Sequence, residues 1–261
     1  MALYRGAVSL EPTRRAMSEP TILLLQARRV GDPILEHEYE CFVNRTPHSA
    51  EAFRAVNMVD TPAGEEILRE VDLVKVGGSG DLSVAQANFE WHDDFIDLIE
   101  RIVDREIPMF ASCFGFHALV KCFGGRLETD PDSAEIGTHE IRLTDEGRGD
   151  ELFGEMPEVF EAQLGHKDSV VDLPRGLVRL AHSERCAVQA VRAVDRPIYA
   201  TQFHPELTAR DNIERYTRYI QNYKNIDETR EEALRRAEDI HRESPEANRL
   251  LERFVLRYGG R

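Results

Sequence analysis

Short apolar runs alternate with helix-period segments in the first half of the chain. Thr21–Gln26 and Ile107–Ser112 are short, continuous apolar runs of the kind that form buried strands. Between them, Phe89–Arg105 carries apolar residues three and four positions apart, which predicts a helix with one face on a core. The same patterns predict helices at Ile34–Asn44 and Phe116–Cys122 and strands at Ala55–Val59 and Asp72–Val76. This alternation favours an α/β fold with a doubly wound, mostly parallel central sheet flanked by helices.

The pattern changes in the middle of the chain, where strand-like runs follow one another without helices between them. Aspartate, glycine and proline separate these runs, which is typical of hairpin and meander connections. We therefore expect an antiparallel or mixed strand region that completes the same sheet. The runs are Thr138–Leu143, Val159–Leu164, Leu177–His182, Ala187–Val194 and Ile198–Phe203.

The last fifth of the chain is helical in pattern and strongly charged. Arg210–Tyr223 and Glu228–His241 have few apolar residues, so we predict an extra charged helical segment at about 208–245 with a solvated face. Asn248–Tyr258 has four apolar residues at helical spacing and is expected to lie against the body of the protein. Residues 1–19 predict a disordered leader, and residues 20–261 a single domain.

Composition narrows the classes of function. The chain has 261 residues and a formal net charge of −15, and such a surface repels a phosphate backbone, so we expect no nucleic-acid partner. No apolar run approaches the roughly 20 residues that span a bilayer, and we expect no membrane association. The four cysteines have no paired spacing, which favours a reducing, cytoplasmic location without disulfides or a zinc site.

Cys113 is the first candidate for chemistry. It lies between a predicted strand and a predicted helix, with Ala111 and Gly115 two residues away on either side. A nucleophile on a sharp strand-to-helix turn needs small neighbours, and the N-terminus of the following helix favours a thiolate. A buried structural cysteine is the alternative for this residue taken alone.

The QFHPE segment at 202–206 supplies a second candidate. Side chains two residues apart in an extended segment share one face, so His204 and Glu206 can meet. The carboxylate would then accept the N–H of one ring nitrogen and leave the other nitrogen to take a proton from a thiol. A surface histidine beside an unrelated carboxylate is the alternative.

A glycine-rich segment, Gly77–Gly80, follows the predicted strand Asp72–Val76. Its backbone N–H groups can present themselves to an anion. The pattern matches neither common phosphate-binding motif. Three interpretations of the segment stay open: an oxyanion hole beside Cys113, a phosphate site and a plain turn.

The ordered set of glycine-rich loop, cysteine elbow and QFHPE resembles the class I, or triad, glutamine amidotransferase family. The likeness is greatest to stand-alone proteins similar to the amidotransferase domain of GMP synthetase. It covers roughly Thr21 to Glu206, and Asn248–Tyr258 resembles the final helix of that domain.

The resemblance implies a role for each matching residue. Cys113 would attack the glutamine amide and form a γ-glutamyl thioester, with His204 as base and acid and Glu206 orienting it. The backbone N–H groups of Gly78 and Phe114 would hold the oxyanion. No cofactor and no metal is implied. The segment that resembles the family's substrate-holding stretch contains His166, Lys167, Asp168 and Ser169.

The elbow departs from the family pattern GxCxGxQ at two positions. Ala111 stands for the first glycine, and His117 stands for a glutamine that contacts substrate in the family. His117 is thus a candidate substrate-binding residue that leaves the substrate open: glutamine or another γ-glutamyl amide. Three functions follow, namely an amidotransferase that supplies ammonia to a separate synthetase subunit, a free-standing γ-glutamyl hydrolase, and a non-catalytic interaction protein on the same fold.

Overall fold

The computed structural model describes residues 19–60, 64–223 and 228–260. The predicted leader therefore lies outside the described residues, apart from Glu19. The strands are β1 (Ile22–Ala27), β2 (Phe53–Asn57), β3 (Leu73–Ser79), β4 (Met109–Ser112), β5 (Arg126–Thr129), β6 (Glu135–Leu143), β7 (Val159–His166), β8 (Asp168–Asp172), β9 (Leu177–His182), β10 (Ala190–Ala193) and β11 (Ile198–Thr201). The α-helices are α1 (Ile34–Val43), α2 (His92–Asp104), α3 (Phe114–Cys122), α4 (Asp145–Arg148), α5 (Ala209–Arg218), α6 (Ile220–Tyr223), α7 (Arg230–Ile240) and α8 (Pro245–Tyr258).

One mixed sheet carries nine of these strands, in the order β2-β1-β3-β4-β11-β10-β9-β6-β7. The half from β2 to β11 is parallel, and the pairs from β11 to β7 are antiparallel. The predicted fold class is thereby confirmed, including the antiparallel region built from the middle of the chain. β5 and β8 form a separate antiparallel pair, which the sequence patterns did not indicate.

The register of the central strands brings three chain segments to one edge of the sheet. Ala111 of β4 lies opposite Val76 of β3 and Ala200 of β11. Because parallel strands end at the same edge, the residues that follow β3, β4 and β11 lie side by side there. The glycine-rich segment, the cysteine elbow and QFHPE therefore meet, although they are far apart in the chain.

Alternation along the strands gives the sheet one apolar core on each face. In β4, Met109 and Ala111 belong to the core beneath α2 and α3, whereas Phe110 belongs to the opposite core. That opposite core is covered by α8, whose Phe254 ring lies 5.5 Å from the Phe110 ring, edge to face. The predicted apolar face of the last helix is confirmed, and its N-terminus begins at Pro245 rather than at Asn248.

The charged segment after 208 differs from its prediction. The stretch Arg210–Tyr223 is helical, and the structure divides it at Tyr219 into α5 and α6. This segment also buries side chains rather than only solvating a face: Ala233 and Ala237 of α7 are fully buried in a small cluster with Tyr216 and Ile220. Alanine contributes little to an apolar pattern read from sequence, so this contact was not foreseen.

β3 also runs further than predicted, since the first three residues after Val76 continue the strand to Ser79. Two of the glycines thus lie in an extended strand and not in a loop.

Among the described residues, no helix has the length and apolar character needed to cross a membrane.

Candidate active site

Cys113 lies at a sharp turn between β4 and α3. Its φ of 49° is in the left-handed region, which is strained for a residue with a side chain. Its backbone N–H donates to the Thr201 carbonyl at 2.8 Å, so the neighbouring strand β11 holds the turn in place. A Cβ on Gly115 would lie 2.6 Å from Val76 Cγ1, so only glycine fits there. The turn exposes the Cys113 side chain ahead of the N-terminus of α3.

His204 and Glu206 form a buried pair immediately after β11. The Nδ1 of His204 lies 2.7 Å from Glu206 Oε1, and both residues are less than a tenth exposed. The predicted meeting of the two side chains is thus present in the structure. Nδ1–H donates to the Glu206 carboxylate, which leaves Nε2 for the hydrogen bond with Cys113.

The electrostatics of this pair depend on burial, on the attraction between the two residues, and on Cys113 and Arg215. Burial acts to lower the pKa of His204, but the charge of Glu206 and a hydrogen bond with Cys113 outweigh it and raise the pKa to about 9. For Glu206, burial acts to raise the pKa, while His204 and Arg215 lower it to about 2. The charged forms of both residues are therefore favoured at neutral pH.

Gly78 lies directly beside His204. A Cβ on Gly78 would stand 2.8 Å from Cε1 of the imidazole, so a larger residue would displace the ring. Phe114 is the first residue of α3, where backbone N–H groups have no partner within the helix. The two predicted oxyanion donors accordingly flank the elbow on two different elements.

A buried ion-pair network behind Glu206 was not predicted. Arg215 of α5 donates from Nη1 to Glu206 Oε1 at 3.2 Å, and its Nη2 lies 3.7 Å from Glu38 of α1. Glu38 also pairs with Arg28 at 2.6 Å, and all four side chains are at most 7% exposed. These residues come from two distant parts of the chain, 28–38 and 206–215, and no local motif marks them.

A cavity of about 230 Å³ opens in front of Cys113. This volume lies below the roughly 300–1,000 Å³ of pockets for drug-sized ligands, so it suits a small metabolite. His117, His166, Lys167 and Asp168 line it, together with Cys113 and Phe114, and their contact with a substrate stays a prediction. Ser169 does not line it, because its hydroxyl lies on β8 and bonds with the Ser133 hydroxyl at 2.9 Å.

The polar groups on the cavity wall are held by the protein itself. Both ring nitrogens of His166 have partners, the Asp168 carbonyl at 2.9 Å and the Glu135 carboxylate at 3.2 Å. Ser83 and Thr129 each donate to the Asp168 carboxylate at 2.6 Å. The cavity thus presents one fixed, buried carboxylate to a ligand.

His117 faces the protein as well as the cavity. Its Nε2 lies 2.7 Å from Gln202 Oε1, and the Gln202 amide nitrogen lies 3.8 Å from Cys113 Sγ. Burial is the main cause that lowers the pKa of His117 to about 4, so the ring is neutral. The contact of Gln202 with the sulfur was not predicted, because the two residues are far apart in the chain.

Two groups of metal-type side chains occur among the described residues. Glu135, His166 and Cys186 form one, and His37, Cys41 and Asp211 the other. In the first group, the His166 ring nitrogens are engaged as described above. In the second, His37 Nε2 lies 3.5 Å from Asp211 Oδ1. The absence of a metal requirement stays a prediction.

Comparison with known proteins identifies the family. Residues 44–220 match the model of the glutamine amidotransferase class-I family. Similar curated proteins include a GMP synthase of Malacoplasma penetrans, 36% identical over 107 residues, and a glutamine-hydrolysing GMP synthase subunit of Archaeoglobus fulgidus, 28% identical over 168 residues. The first match spans 41% of this chain but only 20% of the relative, whereas the second spans 63% of this chain and 82% of the relative.

A solved glutamine amidotransferase from Thermotoga maritima has the same fold, with a TM-score of 0.70 at 23% identity, covering 92% of this chain and 99% of that one. A glutamine amidotransferase from Methylobacillus flagellatus aligns over 92% of this chain and 94% of its own length, with a TM-score of 0.67 at 21% identity. With two thirds of its length under the family model and the family's fold throughout the sheet, the chain belongs to the class I glutamine amidotransferases.

Proposed function

We propose that the protein hydrolyses the side-chain amide of glutamine through a covalent thioester on Cys113. The observation that carries the proposal is the buried His204–Glu206 pair, 2.7 Å apart, beside a cysteine held at positive φ. This arrangement supplies a nucleophile, a proton carrier and an orienting carboxylate within one site.

In the proposed reaction, the Cys113 thiol has already passed its proton to His204, and the resulting thiolate attacks the amide carbon. The negative oxygen of the tetrahedral intermediate accepts hydrogen bonds from the backbone N–H groups of Gly78 and Phe114. His204 then returns a proton to the nitrogen, the C–N bond breaks and ammonia leaves. Water hydrolyses the thioester to give glutamate and the free thiol. Glu206 keeps its charge throughout and orients the imidazole.

Glutamine binding is proposed for the cavity in front of Cys113. The buried Asp168 carboxylate suits the α-ammonium group of an amino acid, and Lys167 on the same wall suits its carboxylate. His166 shapes this wall through its two internal hydrogen bonds. Ser169 is proposed to act only through its position on β8, since its hydroxyl is engaged with Ser133.

We further propose that the ammonia passes to an acceptor site on a separate synthetase subunit. The support is that several relatives are named as single subunits of GMP synthase, and that one of them is matched over 82% of its length. The matches to GMP synthases named without a subunit cover only about a fifth of those longer proteins.

The test is ammonia release from glutamine by the purified protein, alone and with a co-purified partner. Cys113→Ala is expected to abolish release, whereas Cys122→Ala, which removes a half-buried thiol at the far end of α3, should leave it unchanged. An electrophilic glutamine analogue should label Cys113. Labelling at Cys41 or Cys186 instead would refute the site, and equal inactivity of wild type and Cys113→Ala under all conditions would refute the reaction.

One observation favours a second candidate, a free-standing γ-glutamyl hydrolase acting on another γ-glutamyl amide. His117 replaces the family glutamine that contacts substrate, and its Nε2 is engaged by Gln202. A panel of γ-glutamyl amides in the same assay separates the two: a higher kcat/KM on a panel member than on glutamine would support the hydrolase.

A further inference from the structure

The side chain of Gln202 connects His117 with Cys113. This side chain is 1% exposed and bridges His117 on α3 and Cys113 at the elbow. Gln202 and His204 both lie in the segment of bends and turns that follows β11, beside the cysteine elbow. The backbone N–H of Gln202 donates to the Gln189 carbonyl at 2.8 Å, and this hydrogen bond holds the Gln202 backbone in place.

Hydrogen-bond chemistry determines which end of the amide faces the sulfur. A thiolate can only accept, so a stabilising contact with it requires the NH₂ end, which lies 3.8 Å from Cys113 Sγ. The amide oxygen then faces His117 Nε2, 2.7 Å away, and this nitrogen must carry the proton. Because the His117 ring is neutral, the Nε2–H tautomer satisfies this requirement without placing a second charge near the sulfur.

We propose that Gln202 is a positioning residue that stabilises the Cys113 thiolate by donating a hydrogen bond to the sulfur, and that His117 holds its amide in the donating orientation. The inference rests on the proposed function, in which Cys113 is the nucleophile. In this proposal, His117 contacts Gln202 and not the substrate. The histidine at the family's glutamine position keeps the Gln202 amide from rotating.

Other groups near Cys113 also influence its reactivity, and they stay unchanged in the test. His204 is the proton acceptor, the N-terminus of α3 favours negative charge, and Lys167 and Asp168 line the same cavity as Cys113. Gln202 differs from all of these in being uncharged, so its contribution is that of a hydrogen-bond donor alone.

The test measures the rate of Cys113 alkylation by iodoacetamide as a function of pH, followed by mass spectrometry in the absence of glutamine. Gln202→Met keeps the shape of the side chain and removes the donor. Gln202→Glu keeps an oxygen for His117 and replaces the donor with a carboxylate. Each is expected to raise the pH of half-maximal alkylation by about one unit, or tenfold in thiolate population at a given pH. His117→Phe should raise it by less.

Gln163→Leu is the matched control. Gln163 is an equally buried glutamine that donates to Ser244 and to the Arg242 carbonyl, and these hydrogen bonds do not involve Cys113. Its loss should lower stability without moving the alkylation profile. Unchanged profiles in both folded Gln202 variants, with folding verified by near-ultraviolet circular dichroism, would overturn the inference. Glutaminase activity is measured separately: a shifted profile in a protein that releases no ammonia would uphold the contact and reject the proposed function.

Discussion

At the scale of single residues, the candidate site depends on charge states that neighbours impose. His204 is almost fully buried, yet the Glu206 carboxylate and the Cys113 thiol favour its protonated form. An imidazolium beside a thiolate is the resting state expected of an activated cysteine nucleophile. The cost of burying this charge is offset by the carboxylate 2.7 Å away.

The pKa of His204 predicts how stability changes with pH. The folded value of about 9 exceeds the ordinary value of 6.5, so the folded state binds this proton more tightly than the unfolded state. The resulting stabilisation is present in full below pH 6.5 and is lost as pH rises through 9. The free energy of unfolding of the wild type should therefore fall by roughly 3 kcal/mol more than that of His204→Gln between these limits.

Urea unfolding at a series of pH values measures this difference. Glu206→Gln removes the main attraction for the proton, and its profile should also be flatter than that of the wild type. Parallel profiles for wild type and His204→Gln would contradict the proposed ion pair.

At the scale of elements, α5 connects the candidate site to α1. Its Arg215 reaches Glu206 and Glu38 from inside the protein, so the position of this helix determines the position of the orienting carboxylate. The helix starts with a capping box in which Thr208 and Asp211 bond reciprocally, and this anchors its first turn.

Arg215→Met should weaken both catalysis and stability. It leaves two buried carboxylates without one of their cations, which costs about 3 kcal/mol or more of unfolding free energy. Because Glu206 would be less well oriented, kcat should fall about tenfold or more while KM changes little. Steady-state glutaminase kinetics and urea unfolding measure the two effects.

Arg218→Met is the matched control on the same helix. Arg218 is half exposed and its Nε lies 3.6 Å from Asp32, so its loss should change stability by about 0.5 kcal/mol or less and leave kcat unchanged. Equal effects of the two substitutions would show that α5 contributes only general stability.

At the scale of the whole molecule, two apolar cores hold the sheet between its helices. The core beneath α8 brings rings from the sheet and the last helix together, with Phe254 contacting Phe110, Tyr199 and Tyr258. Because β4 contributes to both cores and ends immediately before Cys113, packing on the far face of the sheet also supports the elbow.

Phe254→Ala should lower the free energy of unfolding by about 3–5 kcal/mol, since it opens a cavity among fully buried residues. Leu256→Ala, two residues away on the solvent side with 63% of its side chain exposed, should change it by no more than about 0.5 kcal/mol. Differential scanning calorimetry of both variants tests whether α8 is part of the cooperative core. Similar melting temperatures would show that it is not.

Local sequence patterns were sufficient to predict much of the fold and two parts of the candidate site. Apolar runs and helical spacing predicted most of the strands and helices, but they did not predict the buried alanines of α7 or the end of α5 at Tyr219. The cysteine elbow and the His204–Glu206 spacing could be found because each depends on residues within a few positions of one another. Residues a few positions apart are constrained by the same short stretch of backbone, so a local pattern is enough to relate them.

Contacts between distant segments were decided only by the tertiary structure. His117 and Gln202 are 85 residues apart, and their hydrogen bond exists because β4 and β11 are paired in register. Arg215, Glu38 and Arg28 meet because α5 lies against α1. Ser169 was assigned to the substrate from its neighbours in sequence, yet strand alternation turns its hydroxyl towards Ser133. The sequence by itself therefore determined the class of fold and which residues are candidates for the chemistry. The sheet register and helix docking determined which groups surround them, because long-range pairing has no local signal.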